Sequence, residues 1–400
     1  MELYELAWKR AGAPTLAEFQ RREGLPPTGR LDGASWAALL PWLTGYVHYR
    51  VEPGDNYTRI AARYGSTVRA IITANPGQDP LRLYVGQALT VPLGFEVVPT
   101  ELPFTYELLT LCLEGLAARY PFLTVRNIGE TAYGRKLPQI AVGLGPRRVL
   151  YNGAHHANEW ITVPVLMKFL EDYARAVSED GRIYGFSAQA LYQRCTLHLV
   201  PMVNPDGVDL VTGGLREGDP GWEAARLLSE NYPAIPFPEG WKANLRGVDL
   251  NLNYPARWEQ ARQNKFAQGY IRPGPRDYVG AAPLTEPESE AMVRLTELVK
   301  PGLTLSWHSQ GNVIYWKFLN LEPAGARELG ERFAAVSGYA LEDTPFASGF
   351  AGYKDWFILT RDRPGYTVEV GQGENPLPLS QFDDIYARSL GILTLGLAEG

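Results

Sequence analysis

Two adjacent histidines, His155 and His156, precede Glu159 by four and three residues in the stretch GAHHANEWIT. The sequence has only five histidines, and another of them, His308, ends the apolar run LTLSWH. One of the paired histidines, Glu159 and His308 would supply two imidazoles and a carboxylate, the ligand set of a catalytic zinc site with a fourth position open to water. A histidine three residues before a glutamate is common by chance, so the motif alone leaves open a histidine that only forms hydrogen bonds within a loop.

The histidine pair stands where an α/β sheet would place a site. It follows the strand-like run RVLY and precedes a predicted helix that Thr162 can cap. From about residue 100, strand-like and helical runs alternate, which predicts an α/β domain with a mixed, largely parallel sheet and flanking helices. Chemistry in such sheets gathers in the loops at the carboxyl ends of the strands.

The elements of this domain are predicted from periodicity and capping residues. The helix near residue 286 is expected to open with a capping box formed by Thr285 and Glu288. The predicted strands cover about 124–128, 137–142, 148–152, 195–203, 302–307 and 365–370, and the predicted helices about 105–120, 162–177, 286–299 and 381–397.

Composition excludes several classes of protein. The 38 basic and 44 acidic residues give a net charge of −6 without a basic block, so no nucleic-acid partner is expected. The two cysteines, Cys112 and Cys195, stand in apolar runs and form no disulfide framework. No apolar segment is long enough to span a bilayer, so no membrane partner is expected, and the sequence MELYELAWKR shows no signal peptide. Because 400 residues are too many for one compact core, two or three domains are predicted.

Residues 1–45 are predicted to form short helices. The helical spacing is broken by GLPPTG and resumes with Asp32 as an N-cap. A Phe-Gln pair, a Gly-Leu turn and then Gly, Asp and Trp follow one another here, and this order resembles the small peptidoglycan-binding helical module. A helical hairpin packed on the rest of the protein remains the alternative.

Residues 46–94 read as a strand, two short helices and a strand, with Asp55 and Thr67 as the expected helix caps. The segments GD, IAARYG, ANP and VGQALTVP occur in the order of a LysM module, which this stretch resembles. LysM modules bind glycans that contain N-acetylglucosamine through two loops. The resemblance therefore implies a glycan site, and the stretch GFEVVPTELP is the expected linker to the next domain. The implied glycan-binding residues are Gly54, Asp55, Tyr57 and Pro76.

Residues 100–400 resemble the zinc carboxypeptidase family. The motifs GAHHANEWIT, VPMVNPDGVDL, GVDLNLN, LSWHSQG and GYTVEVG occur in the order and approximate spacing of that family. The stretches HANEWIT and WKAN, together with the LysM-like module, are most similar to the γ-D-glutamyl-L-diamino-acid endopeptidase branch. The resemblance implies one zinc ion held by His156, Glu159 and His308, and it selects His156 over His155 because the family ligand stands three residues before the glutamate.

The resemblance also implies the residues around the metal. Glu369 matches the family's catalytic glutamate, which takes a proton from the attacking water and delivers it to the leaving amine. Asp249 matches the carboxylate that holds the other ring nitrogen of the first histidine, and Asn251 matches an asparagine that contacts substrate. Lys242 matches the position of the arginine that stabilises the oxyanion, and Arg246 is the alternative cation.

Departures from the family pattern bear on specificity. Leu252 and Asn158 replace the arginines that bind a free C-terminal carboxylate, which favours an endopeptidase over an exopeptidase. The mobile tyrosine of the family is not obvious, and Tyr353 is the candidate for its role. Lys354 stands where the family points a residue into the pocket for the side chain after the scissile bond, with a solvated surface lysine as the alternative.

The expected function is zinc-dependent hydrolysis of the γ-D-glutamyl bond to a diamino acid in peptidoglycan. An ammonium from Lys354 in the pocket would favour meso-diaminopimelate, whose distal carboxylate lysine lacks. A zinc carboxypeptidase of broader specificity is one alternative, and a glycan-binding protein with an inactive catalytic domain is another. A cytoplasmic or sporulation-related location with cell-wall association is expected.

Overall fold

The computed structural model describes residues 2–400, which form two compact units. The N-terminal unit extends to Leu102 and also contains Glu107–Thr124 and Leu170–Gly181. The sheet unit contains Pro103–Tyr106, Val125–Phe169 and Arg182–Gly400. None of the helices described in these residues is long and apolar enough to cross a membrane.

The N-terminal unit begins with three helices, α1 (Leu3–Arg10), α2 (Leu16–Arg22) and α3 (Gly33–Thr44). The Asp32 carboxylate accepts a hydrogen bond from the Ser35 N–H at the start of α3, which confirms the predicted cap. Apolar side chains of all three helices pack into one cluster around Phe19 and Leu39.

Two strands and two helices follow, namely β1 (Tyr46–Arg50), α4 (Tyr57–Arg63), α5 (Val68–Ala74) and β2 (Ala88–Pro92). The strands pair antiparallel, and Thr67 caps α5 as predicted. The cap of α4 is Asn56, and the prediction of Asp55 is wrong. The Asp55 carboxylate instead accepts hydrogen bonds from the Tyr49 hydroxyl and the Glu52 N–H, so it closes the loop before the helix.

The N-terminal unit also holds α6 (Tyr106–Arg119) from its second residue onward and the last residues of α7 (Thr162–Ser178). Val97 and Val98 are buried, and their N–H groups donate to the Glu171 carboxylate at 2.7 and 3.0 Å. Gly115 of α6 packs so closely that a Cβ there would lie 1.9 Å from the Thr44 carbonyl oxygen. The stretch expected to be a linker is therefore anchored within this unit, because two of its backbone N–H groups bind a buried carboxylate.

The sheet unit is built on eight strands: β3 (Thr124–Glu130), β4 (Lys136–Val142), β5 (Arg147–Gly153), β8 (Cys195–Val200), β9 (Leu303–Ser309), β10 (Val313–Tyr315), β11 (Ala340–Glu342) and β12 (Gly365–Val370). A separate short hairpin is formed by β6 (Arg182–Ile183) and β7 (Phe186–Ser187). The order in the sheet is β11-β10-β12-β9-β5-β8-β4-β3. The strands β12, β9, β5 and β8 run parallel, whereas β10 and β4 run antiparallel to β12 and β8. The predicted mixed, largely parallel sheet is confirmed.

The helices of the sheet unit, besides the first part of α7, are α8 (Ala188–Arg194), α9 (Pro205–Thr212), α10 (Pro220–Ser229), α11 (Trp258–Ala267), α12 (Pro287–Val299), α13 (Ala326–Ser337), α14 (Tyr353–Arg361) and α15 (Phe382–Glu399). Short 3₁₀ turns cover 157–159, 250–252 and 379–381. The predicted capping box of α12 is wrong, because Glu286 is the N-cap residue and the Thr285 hydroxyl accepts from the Asn253 amide. Pro287 then opens the helix, at a position where its missing N–H costs nothing.

Candidate active site

The predicted site residues meet at the carboxyl ends of three neighbouring parallel strands. Glu159 and His156 follow β5, His308 lies near the end of β9, and Glu369 lies near the end of β12. Glu369 pairs directly with His308 in the ladder, so the two side chains stand on the same face of the sheet. The order of the strands therefore brings together residues that are more than 200 positions apart in the sequence.

The loop after β5 is held in an unusual conformation. Ala154 has a φ of +50°, a left-handed value that is uncommon for a residue with a side chain. The Ala154 N–H donates to the Thr162 hydroxyl, which in turn donates to the Glu159 carbonyl oxygen at 2.8 Å. The prediction that Thr162 is the N-cap is wrong, because Thr162 is the first residue of α7 and its hydroxyl instead ties both ends of the loop together.

His156, Glu159 and His308 form a compact buried cluster. His156 Nδ1 lies 2.8 Å from Glu159 Oε1, and His308 Nδ1 lies 2.9 Å from Glu159 Oε2. The two Nδ1 atoms are 3.1 Å apart. Each of the three side chains offers one atom that could bind a metal ion, and these three atoms all lie within 4.8 Å of one another.

This donor set fits a zinc ion. Two imidazole nitrogens at this separation repel each other unless a proton or a cation lies near both lone pairs. Two histidines and one carboxylate match the ligand types of catalytic zinc. Among the residues that the structure describes, no second group of three histidine, cysteine or acidic side chains is arranged to hold a metal.

Asp249 lies behind His156 as predicted for a residue that orients it. His156 Nε2 is 3.1 Å from Asp249 Oδ1, and the other carboxylate oxygen faces the Asp277 N–H. A proton on Nε2 leaves the lone pair of Nδ1 free to bind a metal ion. Burial opposes the charged form of His156, but the carboxylates of Glu159 and Asp249 outweigh that effect and raise its pKa.

Glu369 lines the cleft beside the cluster. Burial away from water, and then the negative charge of the nearby Glu159 carboxylate, raise the pKa of Glu369 to about 8. A cation bound at the cluster would favour the charged form and lower that pKa. A carboxyl group so placed can both accept and return a proton near neutral pH.

The structure separates the two candidate cations. Lys242 lines the cleft, and its Nζ lies 3.8 Å from Glu159 Oε1. Burial disfavours its charge, but Glu159 and then Asp249 outweigh burial and raise the pKa of Lys242, so it remains a cation. The Arg246 side chain is half exposed and pairs with Glu286 at 3.6 Å, outside the cleft lining. The alternative assignment of Arg246 is therefore wrong.

Asn251 lies in the cleft, whereas the side chain of its neighbour Tyr353 lies in the core. Asn251 lines the cleft, and its Oδ1 accepts from the Tyr353 N–H at 2.9 Å. The Tyr353 ring is fully buried, and its hydroxyl lies 2.7 Å from the Thr296 hydroxyl. The prediction that Tyr353 contacts substrate is wrong, because its polar atom is turned into the core.

Lys354 lines the cleft wall, but its ammonium already has three oxygen partners. Its Nζ donates to the Lys317 carbonyl oxygen at 2.7 Å and to the Thr344 hydroxyl at 3.0 Å. The Asp355 Oδ1 atom is 2.7 Å away. Two of the three ammonium hydrogens are donated and the charge is paired with Asp355, so the prediction of a Lys354 charge open to substrate is wrong.

The remaining histidines of the sheet unit support the structure. His155 is fully buried, its Nε2 is 2.9 Å from the Tyr254 hydroxyl, and its ring stacks on His308 with centroids 5.8 Å apart. It therefore packs behind the cluster. His198 on β8 is partly buried and its Nδ1 is 3.2 Å from the Gln139 amide.

The four residues implied as glycan-binding divide into two pairs. Gly54 and Pro76 are exposed. Tyr57 is only 9% exposed and belongs to the apolar core of its module, and the Asp55 carboxylate is occupied by Tyr49 and Glu52. The assignments of Tyr57 and Asp55 are therefore wrong, since neither offers its side chain to a ligand.

Several cleft residues were missed by the sequence analysis. They include Tyr315 of β10 and Thr367 of β12, as well as a buried pair in which Lys265 Nζ lies 2.6 Å from Asp277 Oδ1. Lys265 and Asp277 come from a region without strand periodicity. Tyr315 belongs to a three-residue strand whose partner no local pattern indicates, although the alternation along β12 from Glu369 does point to Thr367.

Two family models match this chain. The zinc carboxypeptidase model (peptidase M14) matches residues 109–388, and the LysM domain model matches residues 49–92. The solved carboxypeptidase A from Helicoverpa armigera superposes with a TM-score of 0.55 at 15% identity, over 89% of this chain and 98% of its own. At that identity the similarity is one of fold.

Two relatives are similar over most of their length. A γ-D-glutamyl-L-diamino acid endopeptidase 1 of Lysinibacillus sphaericus is 45% identical over 307 residues, covering 76% of this chain and 75% of its own. An uncharacterised protein of Bacillus subtilis (strain 168), YqgT, is 40% identical over 276 residues, or 68% of this chain and 72% of its own. Together with the zinc carboxypeptidase model, which matches more than half of the residues, they establish that this chain belongs to the zinc carboxypeptidase family.

Proposed function

We propose that this metallopeptidase is an endopeptidase of peptidoglycan that hydrolyses the bond between γ-D-glutamate and the diamino acid of the stem peptide. The observation that carries the proposal is one cleft that joins the His-Glu-His cluster with Glu369 and Lys242 and whose described lining contains no arginine. The relative from Lysinibacillus sphaericus, which bears the name of this activity, supports it at 45% identity.

Each group in the cleft has a part in this reaction. One zinc ion per chain, held by His156, Glu159 and His308, would act as a Lewis acid. It would lower the pKa of water so that the water can lose a proton and attack near neutral pH. Glu369 takes the proton of the attacking water and returns it to the leaving amine. The Lys242 ammonium stabilises the negative charge that develops on the carbonyl oxygen.

The lining of the cleft favours internal bonds over C-terminal ones. Selection of a free C-terminus needs a cation that binds a carboxylate, and arginine does so with two parallel hydrogen bonds. Leu252 lines the cleft where that arginine is expected, and Asn158 takes the other position. Of the lysines in the lining, Lys265 and Lys354 already pair with Asp277 and Asp355.

Mass spectrometry of digested stem peptides tests this proposal. The enzyme should release the diamino acid fragment by cutting after γ-D-glutamate, at comparable rates for free and amidated C-termini. A rate that collapses when the C-terminus is amidated would instead identify a carboxypeptidase of broader specificity. Intact peptides from a zinc-replete sample would leave the third possibility, a glycan-binding protein with an inactive catalytic domain.

We further propose that the LysM domain, with the preceding helices as a peptidoglycan-binding-like module, attaches the enzyme to glycan that contains N-acetylglucosamine. The LysM match at residues 49–92 supports this, and Gly54 and Pro76 are the exposed members of the two loops concerned.

A charge at Pro76 should weaken that attachment. We expect Pro76→Asp to sediment less with insoluble peptidoglycan while it cleaves soluble stem peptides normally, because the substitution alters only an exposed loop. Gln268→Asp adds the same charge at an exposed residue of the sheet unit and serves as the control. Equal sedimentation of both variants and the wild type would refute a glycan contact at this loop.

A further inference from the structure

Tyr315 is a polar side chain of the cleft without an assigned role. It lies on β10, directly opposite Thr367 of the antiparallel strand β12, and Val313 lies opposite Glu369. Residues two apart on a strand share a face, and directly opposed residues face the same side. Tyr315, Thr367 and Glu369 therefore stand on one face, and all three line the cleft.

The Tyr315 hydroxyl is available to a ligand. It forms no hydrogen bond with any of the residues that the structure describes, and the side chain is only partly buried. Burial, and then the charges of Glu369 and Glu342, raise the pKa of Tyr315, so the phenol keeps its proton and remains a donor.

Two other side chains that were predicted to contact the substrate already have partners within the protein. The Lys354 ammonium is occupied by Lys317, Thr344 and Asp355. The Tyr353 hydroxyl is bound to Thr296 inside the core. Tyr315 is thus the free phenol of this wall in residues 2–400.

The position of Tyr315 matches the length of a substrate side chain. Two residues along β12 separate the row of Thr367 and Tyr315 from Glu369, which is a rise of about 6.6 Å. The side chain of diaminopimelate reaches its distal carboxyl carbon through five bonds of about 1.5 Å, which span roughly 6 Å when extended. A diamino acid whose amide nitrogen lies at Glu369 therefore has a side chain about as long as the spacing between the Glu369 row and the Tyr315 row.

We propose that Tyr315 donates a hydrogen bond to the distal carboxylate of the diamino acid and thereby selects diaminopimelate over lysine. The inference rests on the proposed function and names the group that distinguishes its substrates. Lysine carries an ammonium on that side chain and no carboxylate, so it offers the Tyr315 O–H no anionic acceptor. The Lys354–Asp355 pair at the same wall adds no net charge that would repel a carboxylate.

The test compares kcat/KM for L-Ala-γ-D-Glu-meso-diaminopimelate and L-Ala-γ-D-Glu-L-Lys in the wild type and in Tyr315→Phe. The phenylalanine removes only the hydroxyl. Because a hydrogen bond to a charged group is lost, kcat/KM for the diaminopimelate peptide should fall about ten- to a hundredfold while the lysine peptide is cleaved as before. Tyr366→Phe is the matched control. Tyr366 precedes Thr367 on β12, but its hydroxyl is buried and donates to the Ala326 carbonyl oxygen, so it cannot reach a substrate.

The outcomes separate this inference from the proposed function. A wild type that cleaves neither peptide after γ-D-glutamate refutes the proposed function itself. A wild type that cleaves both without preference, or a preference that survives Tyr315→Phe, refutes the role of Tyr315 alone. An equal loss on both peptides also refutes it, because the hydroxyl would then serve the reaction and not the choice of substrate.

Discussion

Replacement of Glu369 by glutamine should lower kcat by about 10²–10⁴-fold, which is the usual contribution of a general acid–base group. The amide keeps the size of the side chain but can neither accept the proton of the attacking water nor return it to the leaving amine. Glu369 is not one of the three clustered side chains, so zinc content and melting temperature should stay near those of the wild type.

Two measurements make the Glu369→Gln result interpretable. Elemental analysis of the same sample establishes that zinc is retained. Glu328→Gln removes the charge of an exposed glutamate on α13 and should leave kcat unchanged. Near-normal turnover of zinc-replete Glu369→Gln would exclude this residue as the proton carrier.

A second large effect is expected for the metal itself. His308→Ala should lose most of its bound zinc, because two of three protein ligands cannot replace the missing imidazole. Zinc per chain after dialysis measures the loss directly. Ligand binding to the native state stabilises it, so added zinc should raise the melting temperature of the wild type but not of this variant.

The paired histidines provide the control for this assignment. His156→Ala should lose zinc as His308→Ala does, since its Nδ1 faces the cluster. His155→Ala should retain zinc, although it removes a ring that packs on His308 and so reduces stability. Retention in His156→Ala with loss in His155→Ala would reverse the register of the motif.

The sequence by itself was sufficient for features that depend on neighbouring residues. The caps Asp32 and Thr67, six of the eight strands of the central sheet and the helix that begins at Thr162 follow from spacing within a few residues. The motif and the family resemblance also selected the three residues that the structure brings into one cluster. Backbone propensity and apolar periodicity are local properties, so they can be read without knowledge of the fold.

Features that depend on where a side chain points required the tertiary structure. Lys242 and Arg246 are four residues apart, yet only Lys242 reaches the cleft. The family position of Lys354 is in the cleft wall, but partners from distant loops occupy its ammonium, and the core holds the Tyr353 hydroxyl. Whether a polar group is free or already bonded depends on residues that are distant in the sequence.

The short strand β10 illustrates the same limit. Three residues give too little periodicity to predict a strand, and only its pairing with β12 brings Tyr315 opposite Thr367. Long-range pairing is decided by the packing of the whole sheet, because each strand gains its hydrogen bonds and burial only from its neighbours. The residues of the His-Glu-His cluster could therefore be predicted from the sequence, whereas the wall that would select the substrate is a product of the tertiary structure.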